Sequence, residues 1–187
     1  MKKILTILLC GALILGVTTG CTEQTGDDKT KTDVQEKSKG KCEVKECMSL
    51  LNTDMKLEEV NEVIGFEGEK DEATGKYTWQ LTSKTKIEIE YKDETGSIKA
   101  TYNKEELKND KLKLSICYEI SNNIKKTNYT YEEMVEKLEG IEGNLESYTP
   151  TSKMYSWVDA DGNTFRATFS KSNKWKASIV SINPAIR

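Results

Sequence analysis

Not one histidine occurs in this chain of 187 residues. Histidine is the commonest general base near neutral pH and the commonest metal ligand. Its absence excludes Ser-His-Asp and Cys-His nucleophiles and the mixed His/Cys zinc sites. Proline is scarce, at 2 residues, and aromatics make up only 7% of the chain. No Gly-rich phosphate loop, serine elbow or paired metal motif is present. Asp159-x-Asp161-Gly162-Asn163 starts like a calcium loop, but Gly162 arrives too early and Ser170 stands where the distant Glu belongs, so a plain turn is expected. Glu58-Glu59 and Glu132-Glu133 are neighbours that do not face each other on a helix. They suit a first helical turn, where the dipole favours carboxylates. Cys117 has no histidine to serve as its base. The sequence therefore points away from an enzyme, with no catalytic residue, no cofactor and no metal expected.

Long apolar runs are missing too. The longest, residues 4–17, falls short of the roughly 20 residues of a membrane span. It follows Lys2 and Lys3 and breaks at Thr18-Thr19-Gly20-Cys21. A charged start, a short apolar run and small residues before a cysteine resemble the signal peptide and lipobox of a bacterial lipoprotein. Thr18 departs from the pattern, since Leu is commoner there. The resemblance implies a signal peptide over 1–20, a lipid on the thiol of Cys21, and anchoring at the outer face of the cytoplasmic membrane. Each buried CH₂ contributes about 0.8 kcal/mol, and two or more acyl chains together give a stable anchor. Residues 21–41 are expected to be the lipidated cysteine and a disordered tether. Positions 22–41 hold one Val and no aromatic, too little apolar area to offset ordering entropy. As a flexible coil this length reaches roughly 25 Å.

Without Lys2 and Lys3 the 28 basic residues become 26 against 31 acidic, a net charge of about −5. That balance gives no footprint for nucleic acid and no polybasic patch for acidic lipids. Of 5 cysteines, Cys42, Cys47 and Cys117 remain after the signal and the lipid site are set aside. An odd count leaves one free if two pair, and an extracytoplasmic compartment permits a disulfide. Cys42 with Cys47 would close a short loop, Cys47 with Cys117 would join distant segments, and no disulfide at all is the remaining alternative.

Four blocks recur in order. Leu57-Glu58-Glu59-Val60 returns as Tyr131-Glu132-Glu133-Met134, Gly65-Phe66-Glu67-Gly68 as Gly140-Ile141-Glu142-Gly143, and Tyr77-Thr78-Trp79 as Tyr155-Ser156-Trp157. Ile98-Lys99-Ala100-Thr101-Tyr102 is matched to Trp175-Lys176-Ala177-Ser178-Ile179. A duplication is read from this, with unit 1 over 42–104 and unit 2 over 105–187. Each unit opens with a helix, near 44–51 and 114–125. A second helix follows, with a capping box at Thr130 and Glu133 and stripes of Val60, Val63, Ile64 and of Met134, Val135, Leu138. Gly65 and Gly140 fit left-handed helix ends. Beyond them the apolar period becomes 2: Tyr77 and Trp79; Ile87, Ile89 and Tyr91; Ile98, Ala100 and Tyr102; then Tyr155 and Trp157; Phe165, Ala167 and Phe169; Trp175, Ala177 and Ile179. That alternation predicts antiparallel strands with one buried face, and it places Trp175 in the core. Asp93-Glu94-Thr95-Gly96 and Asp159-Ala160-Asp161-Gly162 are read as hairpin turns. The fold class is α+β.

A helix with Glu-Glu-Val, a Gly-x-x-Gly, a Tyr-x-Trp strand and two alternating strands resembles the tandem repeat of β-lactamase-inhibitory-protein-like domains. The resemblance implies two helix-helix-sheet units whose sheets join into one curved sheet, with the helices on one face and a polar contact surface on the other. That surface would carry Thr78, Gln80, Lys86, Glu88, Glu90, Lys99 and Thr101 from unit 1. Unit 2 would add Ser156, Thr164, Arg166, Thr168, Lys176 and Ser178. Hot spots of tight interfaces are rich in Trp, Tyr and Arg. One Arg and no aromatic suit a weak contact instead. The expected role is a non-enzymatic, membrane-anchored module that binds a protein or envelope component. The alternative is a small-molecule or peptide binder using the cleft between the units.

Overall fold

The computed structural model describes residues 39–185. The signal peptide, Cys21 and most of the expected tether lie outside the described residues. The last part of that tether, Lys39 to Lys41, is not free: the amide of Lys39 donates to Leu81 O at 3.0 Å and that of Lys41 to Ile64 O at 2.8 Å.

Among the described residues the fold is α+β, with four α-helices and an open, almost wholly antiparallel sheet of nine strands. Helices α1 (Val44–Leu50) and α2 (Leu57–Ile64) precede strands β1 (Glu69–Lys70), β2 (Tyr77–Gln80), β3 (Lys86–Lys92), β4 (Thr95–Thr101) and β5 (Lys108–Asn109). Helices α3 (Leu114–Thr127) and α4 (Tyr131–Lys137) precede β6 (Asn144–Thr149), β7 (Ser152–Asp159), β8 (Thr164–Ser170) and β9 (Lys176–Asn183). The strands lie in the order β1-β2-β3-β4-β6-β7-β8-β9, and β5 runs parallel to the end of β7. The step from β4 to β6 is made by two register pairs, Ile98 with Tyr148 and Lys99 with Ser147.

Local chemistry accounts for the helix ends. Thr130 Oγ1 accepts from the Glu133 amide at 3.2 Å, and the Glu133 carboxylate accepts from the Thr130 amide at 2.8 Å, so both halves of the capping box form. In α2 only the second half exists. Glu59 accepts from the Lys56 amide, and a lysine side chain has no acceptor to return. Gly65, at φ 99°, ends α2. Helix α4 stops at Lys137, and Glu139 as well as Gly140 takes a left-handed conformation after it.

Two hydrophobic clusters form the interior. The first joins Val44, Cys47, Met48, Val60 and Ile64 of the helices to Trp79, Ile87, Ile89, Ile98 and Ala100 of the strands. The second joins Cys117, Ile120 and Met134 to Trp157, Phe165, Ala167, Phe169 and Ala177. The indole of Trp79 donates to Phe66 O at 3.2 Å and that of Trp157 to Ile141 O at 2.9 Å. Gly68 and Gly143 lie against these rings. A β-carbon at either would fall 2.5 Å from Trp79 or 2.6 Å from Trp157.

The final strand differs from the sequence expectation. Trp175 is 38% exposed and Ile179 is 64% exposed, although alternation placed both in the core. Lys174 and Trp175 adopt left-handed φ angles of 54° and 58°, so β9 starts only at Lys176. A bulge then adds Ser178, because Phe169 pairs with Ala177 while Thr168 pairs with Ile179. One extra residue moves every later side chain to the other face. Val180 and Ile182 therefore reach the second cluster instead of Ile179. In the sheet Ile89 pairs with Ile98, Ala167 pairs with Val180, and Tyr77 and Tyr155 lie opposite Ile89 and Ala167. Val180 thus faces Ala167, while Trp175 lies ahead of the strand.

Cys42 and Cys47 form a disulfide, with Cα atoms 5.5 Å apart, and Cys117 is a buried free thiol. Burial, helped by the charge of Asp159, pushes the Cys117 thiol up to about 11. Burial, then the neighbouring Tyr131, pushes Tyr155 up to about 12. Both groups hold their protons more tightly folded than unfolded. Between their ordinary and raised values the unfolded chain binds fewer protons, so stability falls as pH rises. The melting temperature is expected to decline from about pH 9 to about pH 12, with no contribution from these groups below the ordinary thiol value of about 8.5. Cys117→Ala should make the first part of that decline shallower. A melting temperature unchanged up to about pH 11, the middle of the Tyr155 window, would contradict the burial of both groups.

Candidate functional site

The sheet face away from the two clusters is built by register. Thr78 pairs with Glu88, Glu88 with Lys99, Lys99 with Ser147, Ser147 with Met154, Met154 with Thr168 and Thr168 with Ile179. One row of side chains thus crosses seven strands and passes over the β4–β6 junction. A second row runs Gln80, Lys86 and Thr101 on one side, and Asn144, Ser156, Arg166 and Ser181 on the other. Most residues expected on a polar face are on these rows. Gln80, Glu90, Lys99 and Ser178 are exposed; Thr78, Lys86, Glu88, Thr101, Arg166, Thr168 and Lys176 are half-buried.

Two expected members are not accessible. Ser156 is fully buried and Thr164 nearly so. A bulge in β6 inserts Glu146 between Leu145 and Ser147. Its carboxylate takes Arg166 Nε at 2.7 Å and Nη2 at 3.3 Å. Since Glu146 is on β6 and Arg166 on β8, the pair bridges β7 above Ser156, whose Oγ has no hydrogen-bond partner among the described residues. Thr164 sits between Val158 and Asn183, where the chain after β9 folds back and Ala185 donates to Asn163 Oδ1 at 3.0 Å. Elsewhere on the face Glu88 receives both Lys76 at 3.7 Å and Lys86 at 3.3 Å. Two ammonium groups thus flank one half-buried carboxylate on this face.

The β6 bulge also frees the Leu145 carbonyl, which accepts Tyr102 Oη at 2.9 Å. This bond clasps β4 to β6, and burial raises the Tyr102 pKa. In the turn after β7 the carboxylate of Asp159 takes the Asn163 amide and its Nδ2, each at 2.8 Å. Both oxygens are thereby used within the turn.

A groove of about 600 Å³ opens beside α1, lined by Glu43, Lys45 and Glu46 on one wall and Tyr131, Tyr155 and Glu142 on the other. The two tyrosine rings lie with centroids 4.2 Å apart and planes tilted by 30°, and Lys45 reaches Glu142 at 3.7 Å. Tyr131 Oη accepts from the Gly143 amide at 3.1 Å. Two protonated phenols and three carboxylates can hold a ligand by stacking, hydrogen bonds and charge. Sequence reading offered a cleft between the units as an alternative site but named none of these lining residues, because the walls come from segments more than eighty residues apart. Among the described residues no three Cys, Asp or Glu side chains converge as metal ligands. No protein-family model, curated protein or solved structure matches the chain.

Proposed function

We propose that this chain is a lipid-anchored extracytoplasmic protein whose folded part binds a protein or envelope component through its polar sheet face. The row from Thr78 to Ile179 carries the reading: seven strands supply one continuous surface. We read the two halves as copies of one helix-helix-sheet unit, with the helices covering one face. The paired indole–carbonyl bonds of Trp79 and Trp157, and the glycines beside them, support that reading. The lipobox-like Thr18-Thr19-Gly20-Cys21 supports the anchor. A second reading, a small-molecule or peptide site, is favoured by the groove between α1 and the Tyr131–Tyr155 wall.

Cell fractionation and site-specific photo-crosslinking test this together. The native chain should stay with membranes and the Cys21→Ser variant should be released. A photo-crosslinker at Lys99 should yield a defined adduct in intact cells, and one at Glu62 on α2 should not. Adducts confined to a probe at Ser49, on the groove rim, would select the second reading. No adduct from either surface, or membrane retention of Cys21→Ser, would overturn the corresponding half of the proposal.

A further inference from the structure

Trp175 is unlike the other two tryptophans. Trp79 and Trp157 are buried with their indole N–H groups bonded, whereas Trp175 is exposed and its N–H has no acceptor among the described residues. Its backbone, like that of Lys174, is left-handed, a conformation that glycine takes without strain and a bulky residue does not. A ring kept there against backbone preference adds little to the core. Strain of this kind concentrates at binding sites.

Lysines surround it. Lys171 and Lys174 lie in the turn between β8 and β9, and Lys176 opens β9. Lys153 Nζ is 4.4 Å from the Tyr148 ring centroid and 5.9 Å from that of Trp175. None of these four joins an ion pair among the described residues. From residue 162 to the last residue the sequence has no Asp or Glu. Strand β9 packs on β8 and α3; α3 carries one acidic residue, Glu119, and α4, which follows it, carries Glu132, Glu133 and Glu136. Composition averaged over the chain concealed this local basic end.

We propose that Trp175 and Lys153, Lys171, Lys174 and Lys176 form a contact that lays this end of the sheet on anionic lipid headgroups. An indole with a free N–H settles at headgroup depth, and lysines near an anionic surface are drawn to it. The choice of a bilayer over another polyanion rests on the reading of Cys21 as a lipid anchor, which would hold headgroups within reach.

The test uses the mature chain carrying Cys21→Ser, so that no acyl chain contributes. It should co-sediment with vesicles containing phosphatidylglycerol and not with vesicles of phosphatidylcholine alone, and salt should weaken the binding. Tryptophan fluorescence should shift to the blue and be quenched by brominated lipid. Trp79 and Trp157 are already in the core, so the response reports Trp175. Lys174→Gln with Lys176→Gln should lower the partition coefficient about thirtyfold, since each lysine is worth about fivefold. Trp175→Ser should abolish the blue shift while the far-ultraviolet circular dichroism stays unchanged. Equal binding to both vesicle types, no binding, or unaltered binding by the lysine variant would overturn the proposal. Soluble polyphosphate binding as tightly as vesicles, without the fluorescence shift, would also overturn it by assigning the patch to a polyanion. Fractionation of Cys21→Ser is read separately, so failure of the anchor and failure of this contact are distinguishable.

Discussion

Replacing Trp157 by alanine should destabilise the protein by about 3–5 kcal/mol, the range for deleting a fully buried large aromatic. Three losses combine at this site. The ring leaves a cavity between Tyr131, Tyr155 and Phe165, all within aromatic contact distance of it. The Ile141 carbonyl loses its indole donor. Gly143, which lies against the ring face, loses the surface it packs on. The reverse change, Gly143→Ala, should also destabilise, by about 1–3 kcal/mol, because overpacking forces off-rotamer shifts. Urea denaturation followed by circular dichroism measures both. A loss under about 1 kcal/mol for Trp157→Ala would mean that the second cluster is not organised around this ring.

Loss of the Cys42–Cys47 disulfide should cost about 2 kcal/mol, the chain-entropy value for so short a loop. The bond has more to do than that figure suggests. Helix α1 is only 7 residues long, and its N-cap Glu43 makes no side-chain capping bond. Helices so short are marginal alone. The covalent loop fixes the first turn while Val44, Cys47 and Met48 are buried in the first cluster. Denaturation midpoints with and without a reductant, in a Cys117→Ala background, should differ accordingly, and Cys42→Ala with Cys47→Ala should match the reduced protein. Identical midpoints would show that packing alone holds α1. Movement of α1 on reduction would also alter the groove, since Glu43, Lys45 and Glu46 form one of its walls.

Legibility in the sequence followed the physics of each element. The four helices, the Thr130 capping box and strands β2, β3, β4, β7 and β8 were readable because their signals are local: period, caps and turn residues. The disulfide was left open among three outcomes, since sequence spacing does not fix which thiols meet. Strand β9 was misread by phase. A bulge has no side-chain signature of its own, and Trp175 with Ile179 mimics the alternation of Ile98 with Tyr102. The same limitation hid Glu146, whose extra position in β6 creates the bridge that buries Ser156. Strand β5 is two residues long and pairs in parallel with a strand fifty positions away, beyond any local pattern. Groove walls and the basic end near Trp175 depend on tertiary neighbours, which a composition average erases.

An open sheet has two borders, and each invites polymerisation by offering unpaired amides to another molecule. Here β1, at one border, extends for 2 residues only. At the other, the amide of Ala177 is already given to Tyr129 O at 2.7 Å, and its carbonyl takes Asn173 Nδ2 at 3.4 Å. The extra Ser178 then breaks the flat ladder that an incoming strand would need. Molecules crowded side by side on a surface would thus meet at borders that resist fibre growth, and could remain separate at high surface density.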